Sequence, residues 1–268
     1  MRSLRERLDN NEVLIGPISL IGSPIVVEIF GNLEFDLVFI DTEHAPTSPY
    51  GTELEAMIRA AAAAKIPAVV RPTEPRPGAI LKALNFGAQG IWVTHVQNRA
   101  DAEAAAAACR YPPDGSRSAV PTNRSAKYGV EDWDTYRTRV NRDTMVLPIV
   151  ESRKGIQNIE EIAGTPGVDV IQFGPFDLSV DLGLPPGNFF GTDKQWVHPD
   201  LEEAMKITLR ACRKHGKRAA GVAWNEEAAE RQIAMGFQIM ALGLDTTMLV
   251  SAAKTVHSNL AALRPPRK

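Results

Sequence analysis

Eight short apolar runs, each separated from the next by a segment of helical period, constrain this chain more than any other feature. They are Val13–Ser19, Asp36–Ile40, Ala68–Arg71, Gly90–Thr94, Met145–Glu151, Asp169–Phe173, Arg218–Val222 and Gln238–Leu242. Continuous apolar runs of this kind suit strands of a parallel sheet covered by helices. Between them stand "GTELEAMIRAAAAAK", "PGAILKALNFG", "RADAEAAAAACR", "RKGIQNIEEIAG" and "LEEAMKITLRACRKHG", several dominated by alanine. Gly87, Gly164, Gly216 and Gly236 fall where such helices should stop. Eight alternations within 268 residues predict an α/β protein, a single (β/α)8 barrel domain over residues 1–268 with a disordered tail from about residue 264. The rival, a doubly wound open sheet, lacks support because no Gly-x-Gly-x-x-Gly follows the first strand.

Composition closes off several classes of function. With 30 basic and 32 acidic residues the net charge is −2, so electrostatics give no reason to expect nucleic acid as a partner. The opening "MRSLRERLDN" lacks the apolar core of a signal peptide. No apolar run approaches the ~20 residues that a membrane-spanning helix requires. The expectation is a cytoplasmic protein that uses no membrane. Cys109 and Cys212, each alone in a helical pattern, are expected as buried free thiols. Two polar stretches break the rhythm: "YPPDGSRSAVPTNRSAKYGVEDW", from Tyr111, and "LGLPPGNFFGTDKQWVHPD" after the sixth strand. Each is either a lid or subunit contact, or a solvated excursion.

The position of the charges points to a site. Asp41, Arg71, Glu151 and Asp177 each lie at or just past the C-terminal end of an expected strand, the rim that carries the active site in barrels of this type. Glu151 and Asp177 end successive strands. Two carboxylates without cysteine or spaced histidine suit a hard divalent ion. The alternative is that Glu151 pairs with Arg153 or Lys154 while Asp177 caps a short helix. Arg71 either receives a carboxylate or developing enolate oxygen through its donor fork, or pairs with Asp41 or Glu151. His44, three residues beyond Asp41, and His95, at the end of the fourth strand, are candidates for proton transfer or for structural hydrogen bonding. His198, His215 and His257 read as loop or helix-surface residues. No lysine stands at a strand end; Lys65 and Lys82 fall on helices, which disfavours Schiff-base chemistry.

Taken together, "FIDTEHAP", "VVRPTEP", "NFGAQGIWVTHVQN", "RYPPDGSRS", "IVESRKGIQNIEEIAGTPGVDVIQFGPFDLSVDLG", "HPDLEEAM" and "ALGLDTTML" resemble the HpcH/HpaI family of metal-dependent pyruvate aldolases, from about residue 12 to 257. The resemblance implies a (β/α)8 barrel with its last helix exchanged between subunits, assembled as a hexamer, a trimer of dimers. It implies Glu151 and Asp177 as ligands of a divalent metal, Mg²⁺ or Mn²⁺ first and Co²⁺ or Zn²⁺ as alternatives. It implies that Gly174, Phe176 and Asp177 hold the substrate carboxylate, that Arg71 stabilises the enolate oxygen, and that His44 moves the proton with Asp41 beside it. Glu43, Asn85 and His95 would stand behind these groups. The implied reaction makes or cleaves 4-hydroxy-2-oxo acids from pyruvate and an aldehyde. Decarboxylation or lysis of another 2-oxo acid through the same enolate is the alternative, and a non-catalytic barrel is the third. The chain departs from the family pattern at Asn85, where many relatives have an aspartate that supports the histidine. It departs also at Ile149, in place of a frequent glutamine, and at Ile18, in place of an aromatic residue.

Overall fold

All eight expected runs form strands, which close in chain order into one parallel barrel. The strands are β1 (Leu14–Ser19), β2 (Val38–Asp41), β3 (Ala68–Arg71), β4 (Gly90–Val93), β5 (Met145–Val150), β6 (Val170–Phe173), β7 (Arg218–Ala223) and β8 (Ile239–Leu244). The structure is a computed structural model and describes residues 2–184 and 197–261. The expected tail from residue 264, and residues 185–196 of the second polar stretch, lie outside that range.

The helices follow in order: α1 (Leu4–Asp9) before the barrel, then α2 (Pro24–Asn32), α3 (Thr52–Ala63), α4 (Pro77–Phe86) and α5 (Arg99–Cys109). After them come α6 (Trp133–Asp143), α7 (Arg153–Gln157), α8 (Ile159–Ala163), α9 (Pro175–Asp181), α10 (Pro199–Lys214), α11 (Glu226–Met235) and α12 (Asp245–Ala261). Gly87 and Gly236 end α4 and α11 in the left-handed conformation, φ 107° and 117°, which costs glycine nothing. Gly164 ends α8 without it.

Side chains alternate across each strand, and this separates two apolar clusters. Ile18, Phe39, Val69, Trp92, Leu147, Ile149, Val170, Ala220 and Ala241 belong to the cluster inside the barrel. Val38, Ile40, Val70, Ile91, Val146, Ile171 and Phe173 belong to the cluster between barrel and helices. The same period carried one step upward delivers Asp41, Arg71, Thr94 and Glu151 to the mouth. Asp41 closes β2 directly opposite Arg71 on β3. At the other end α1 plugs the barrel: Leu4 and Leu8 join the inner cluster, and Arg5 reaches Asp169 at 2.6 Å.

The first polar stretch does not form a lid over its own barrel. It follows α5 and precedes β5, so it lies at the N-terminal ends of the strands, away from the rim. Tyr111 is buried in an aromatic cluster with Trp133 and Tyr136, and Arg117 is buried over the Tyr111 ring. Cys109 and Cys212 are free and buried. Among the described residues no helix is long and apolar enough to cross a membrane.

Candidate active site

A pocket of about 230 Å³ opens at the C-terminal mouth, lined by residues that include His44, Arg71, Glu151, Gly174, Phe176 and Asp177. Ile18, Trp92, Ile149, Val222 and Leu244 make its apolar wall. Six of the residues proposed from sequence therefore face one space.

Asp41 is fully buried and does not line that space. One of its oxygens is ion-paired with Arg71. The other accepts the backbone N–H groups of Glu43, at 2.7 Å, and His44, at 3.2 Å. These bonds fix the corner and hold the Arg71 guanidinium. Arg71 also lies 3.5 Å from Glu43 and stacks 4.8 Å over the Trp92 ring, a favourable placement for a cation. Its Nε–H is buried without a partner. The ion pair with Asp41 engages only Nη2 and leaves the other guanidinium N–H groups free of Asp41.

Glu151 and Asp177 differ in setting. Glu151 is 7% exposed and Asp177 stands in the open first turn of α9. Burial first, with the charge of Asp177 adding, pushes the Glu151 carboxyl up to about 7, against the pull of the His95 backbone N–H. A cation between these carboxylates would relieve both burial and repulsion. Among the described residues no set of three or more histidine, cysteine or carboxylate groups could hold a metal ion. Glu151 and Asp177 would offer two carboxylates beside an open pocket, a set that fits a hard oxygen-binding cation that keeps positions for water or substrate. The salt-bridge and cap alternatives fail: Arg153 binds Asp181 through its backbone N–H, at 2.6 Å, and its side chain, and α9 has no side-chain cap bond.

Gly174 must be glycine because a Cβ there would sit 2.6 Å from Glu151 Cβ and 2.8 Å from an Ile149 methyl. Its N–H already donates to the Val150 carbonyl at 3.0 Å, so it is not available to a substrate carboxylate as expected. Phe176 and Asp177, in the opening turn of α9, remain at the pocket.

His44 lines the pocket with its side chain 60% exposed, its Nε2 3.8 Å from Glu43. His95 is closer to the acids than its peripheral assignment suggests. Its backbone takes φ +59° and its N–H donates to Glu151 Oε1 at 2.9 Å. The ring then spans two acids, Nδ1 3.3 Å from Glu151 and Nε2 3.1 Å from Glu43. Asn85 does not reach His44 within the chain. It sits near the C-terminus of α4, at the opposite end of the barrel, where its Oδ1 accepts from Arg117 at 3.0 Å and Asn123 at 3.1 Å. Trp92 and Leu244 were missed in sequence. Inward parity on β4 was the signal for Trp92, and no signal marks Leu244.

The sequence model of the family HpcH/HpaI aldolase/citrate lyase matches residues 20–252. The hydroxypyruvate/pyruvate aldolase of Chromohalobacter salexigens is 36% identical over 84% of this chain and 85% of its own. The 5-keto-4-deoxy-D-glucarate aldolase of Shigella dysenteriae serotype 1 is 33% identical, covering 91% of this chain and 90% of its own. A crystal structure of an HpcH/HpaI aldolase/citrate lyase family protein from Burkholderia cenocepacia J2315 superposes with a TM-score of 0.85 at 31% identity, covering 96% of this chain and 98% of that one.

Proposed function

This chain belongs to the HpcH/HpaI aldolase/citrate lyase family and is an aldolase, and on that premise we propose that it makes or cleaves 4-hydroxy-2-oxo acids. Pyruvate or a close 2-oxo acid is the enolate donor and an aldehyde the acceptor. The observation that carries this reading is the convergence of Glu151, Asp177, Arg71 and His44 on one pocket.

Glu151 and Asp177 would hold a divalent cation, Mg²⁺ or Mn²⁺ by the hardness of the donors, with Co²⁺ or Zn²⁺ as substitutes. Such a cation, when bound, supplies Lewis-acid stabilisation of the charge that develops on the C2 oxygen. The chain's own groups do the rest. Arg71, which lines the pocket, is a donor for that same oxygen, and it acts in a largely buried setting where a donor is worth more than in water. Asp41, Glu43 and the Trp92 face hold the guanidinium in one orientation, so no reorganisation is needed as charge appears. His44 takes the proton of the C4 hydroxyl while the C3–C4 bond breaks and its electron pair passes into the enolate, and returns the proton in the synthetic direction. Ile18, Ile149, Val222 and Leu244 keep bulk water from the enolate.

Assembly completes the proposal. Nearly all of α12 is exposed, including Leu249, Val250, Val256 and Leu260, while α2 presents Ile25 and Ile29, with Leu33 just past its end, along one exposed face. Two apolar helical faces of this size on one subunit support exchange of the last helix with a second copy, within a hexamer built as a trimer of dimers.

The test is pyruvate release from a 4-hydroxy-2-oxo acid, abolished by EDTA and restored by Mg²⁺ or Mn²⁺. Turnover of oxaloacetate alone would replace the aldolase reading with a decarboxylase on the same enolate. Failure to bind any divalent metal in calorimetry would remove both.

A further inference from the structure

The proposed reaction commits every ionisable side chain of the pocket and leaves the rest of its wall apolar. Among the described lining residues the titratable ones are His44, Arg71, Glu151 and Asp177. In the proposed chemistry the two carboxylates hold the cation, Arg71 meets the C2 oxygen and His44 meets the C4 hydroxyl. Each of these groups therefore serves the donor or the bond that breaks. None is left for the substituent that the aldehyde carries beyond C4.

The wall that remains is built by Ile18, Leu20, Ile149, Val222 and Leu244, and none of these side chains has a polar atom. Leu20, Val222 and Leu244 are partly buried against the inner cluster. The Trp92 indole Nε1 is buried with no accessible surface, so it offers this space no donor. Backbone groups along the wall are committed as well. The Leu20 N–H donates to the Asp245 carboxylate at 2.9 Å, and the Leu244 N–H donates to the Thr247 hydroxyl at 3.3 Å. The Val222 carbonyl accepts from the Gln232 amide at 2.9 Å. A hydroxyl placed against such a wall loses its bonds to water and gains none, whereas a methyl group there gains by leaving water. The cavity, about 230 Å³, is smaller than the roughly 300–1,000 Å³ of pockets that take drug-sized ligands. The substituent is therefore short.

We propose that the acceptor is a short apolar aldehyde, and that the wall of Ile18, Leu20, Ile149, Val222 and Leu244 discriminates against an aldehyde hydroxylated next to its carbonyl. This assignment rests on the aldolase reading and names the half of the substrate that the reacting groups leave open. Discrimination comes from a polar group left unpaired, so it acts even between aldehydes of equal size. One polar atom added to the wall is enough to weaken it.

The experiment uses the full chain with Mg²⁺ and pyruvate, and pairs propanal with glycolaldehyde, which differ by a methyl in place of a hydroxyl. Exchange of the pyruvate methyl protons for deuterium is followed first, because it reports enolate formation with no aldehyde present. Then kcat/KM is measured for each aldehyde, referred to its free carbonyl form. The wild-type chain should favour propanal by about ten- to a hundredfold. Val222→Thr and Leu244→Asn nearly keep side-chain size and add polar atoms to the wall. At least one of them should narrow that ratio about fivefold, the worth of one hydrogen bond. Proton exchange with no preference for propanal would overturn the proposal and leave the aldolase reading standing. So would a propanal preference that neither folded variant changes. If neither variant folds, the wild-type ratio decides. A chain that neither exchanges pyruvate protons nor condenses either aldehyde would remove the aldolase reading itself, and the proposal with it.

Discussion

At the scale of single residues, the two histidines separate by what they touch. His44 is exposed and makes no short side-chain bond to an acid. His44→Ala should therefore leave stability within about 0.5 kcal/mol while turnover falls by about 10²–10⁴-fold, the usual worth of a positioned proton carrier. His95 holds Glu151 and Glu43 together. His95→Asn, which tolerates the left-handed backbone, should weaken divalent-metal affinity about tenfold or more in calorimetry, whereas His44→Ala leaves that affinity intact. Equal metal affinities in the two variants would remove this distinction. Arg71→Ala leaves the Asp41 carboxylate buried and unpaired, and should cost about 3 kcal/mol in urea unfolding. Arg71→Lys keeps a charge opposite Asp41 but loses the fork. We expect it to fold with kcat lowered about 10²-fold; a wild-type rate would end the enolate assignment. These residues were legible in sequence because each stands at a strand end with charge. Their division of labour was not, because a carboxylate at position 41 looks the same whether it faces substrate or an arginine.

At the scale of elements, the turn from β6 into α9 carries the most constraint. A methyl at position 174 would collide with Glu151 and Ile149 side chains. Gly174→Ala should cost about 1–3 kcal/mol of stability and reduce metal affinity together with activity. Full metal affinity with intact stability would show that the turn has room the structure does not grant. The helices α5 and α10 bury one thiol each, and burial pushes both Cys109 and Cys212 up to about 12. Roughly one thiol in 10⁴ is then ionised at pH 8, so a thiol reagent at that pH should react only as the chain unfolds in urea. Rapid labelling of the folded protein would contradict this burial. Strand positions were readable from the chain because buried parallel strands demand unbroken apolar runs. Strand ends shifted by at most two residues. Asp36, expected in β2, instead turns its carboxylate to the Ile15 N–H at 2.9 Å and to Arg7.

For the whole molecule, α12 is the element least explained by one subunit. It is tied at its start, where the Asp245 carboxylate accepts from Ser19 and from the N–H groups of Leu20 and Ile21 at about 3 Å. Beyond that anchor its apolar residues face outward. Leu249→Lys with Val256→Lys should convert the assembly to smaller species in light scattering and lower the melting temperature by several degrees. An unchanged mass would remove helix exchange from the proposal. The same outlook applies to Asn85, which cannot reach His44 in its own chain.

The sequence by itself determined the barrel and the rim. Eight apolar runs of strand length have few ways to bury both faces, and charges placed after such runs can only fall at one mouth. Only the tertiary structure decided which polar groups pair with each other: Asp41 with Arg71, His95 with Glu151 and Glu43, Asn85 with Arg117. It decided also that the polar stretch from Tyr111 packs in a cluster of its own at the far end of the barrel, away from the rim. These outcomes depend on distance between strands far apart in the chain, and no local pattern carries that information.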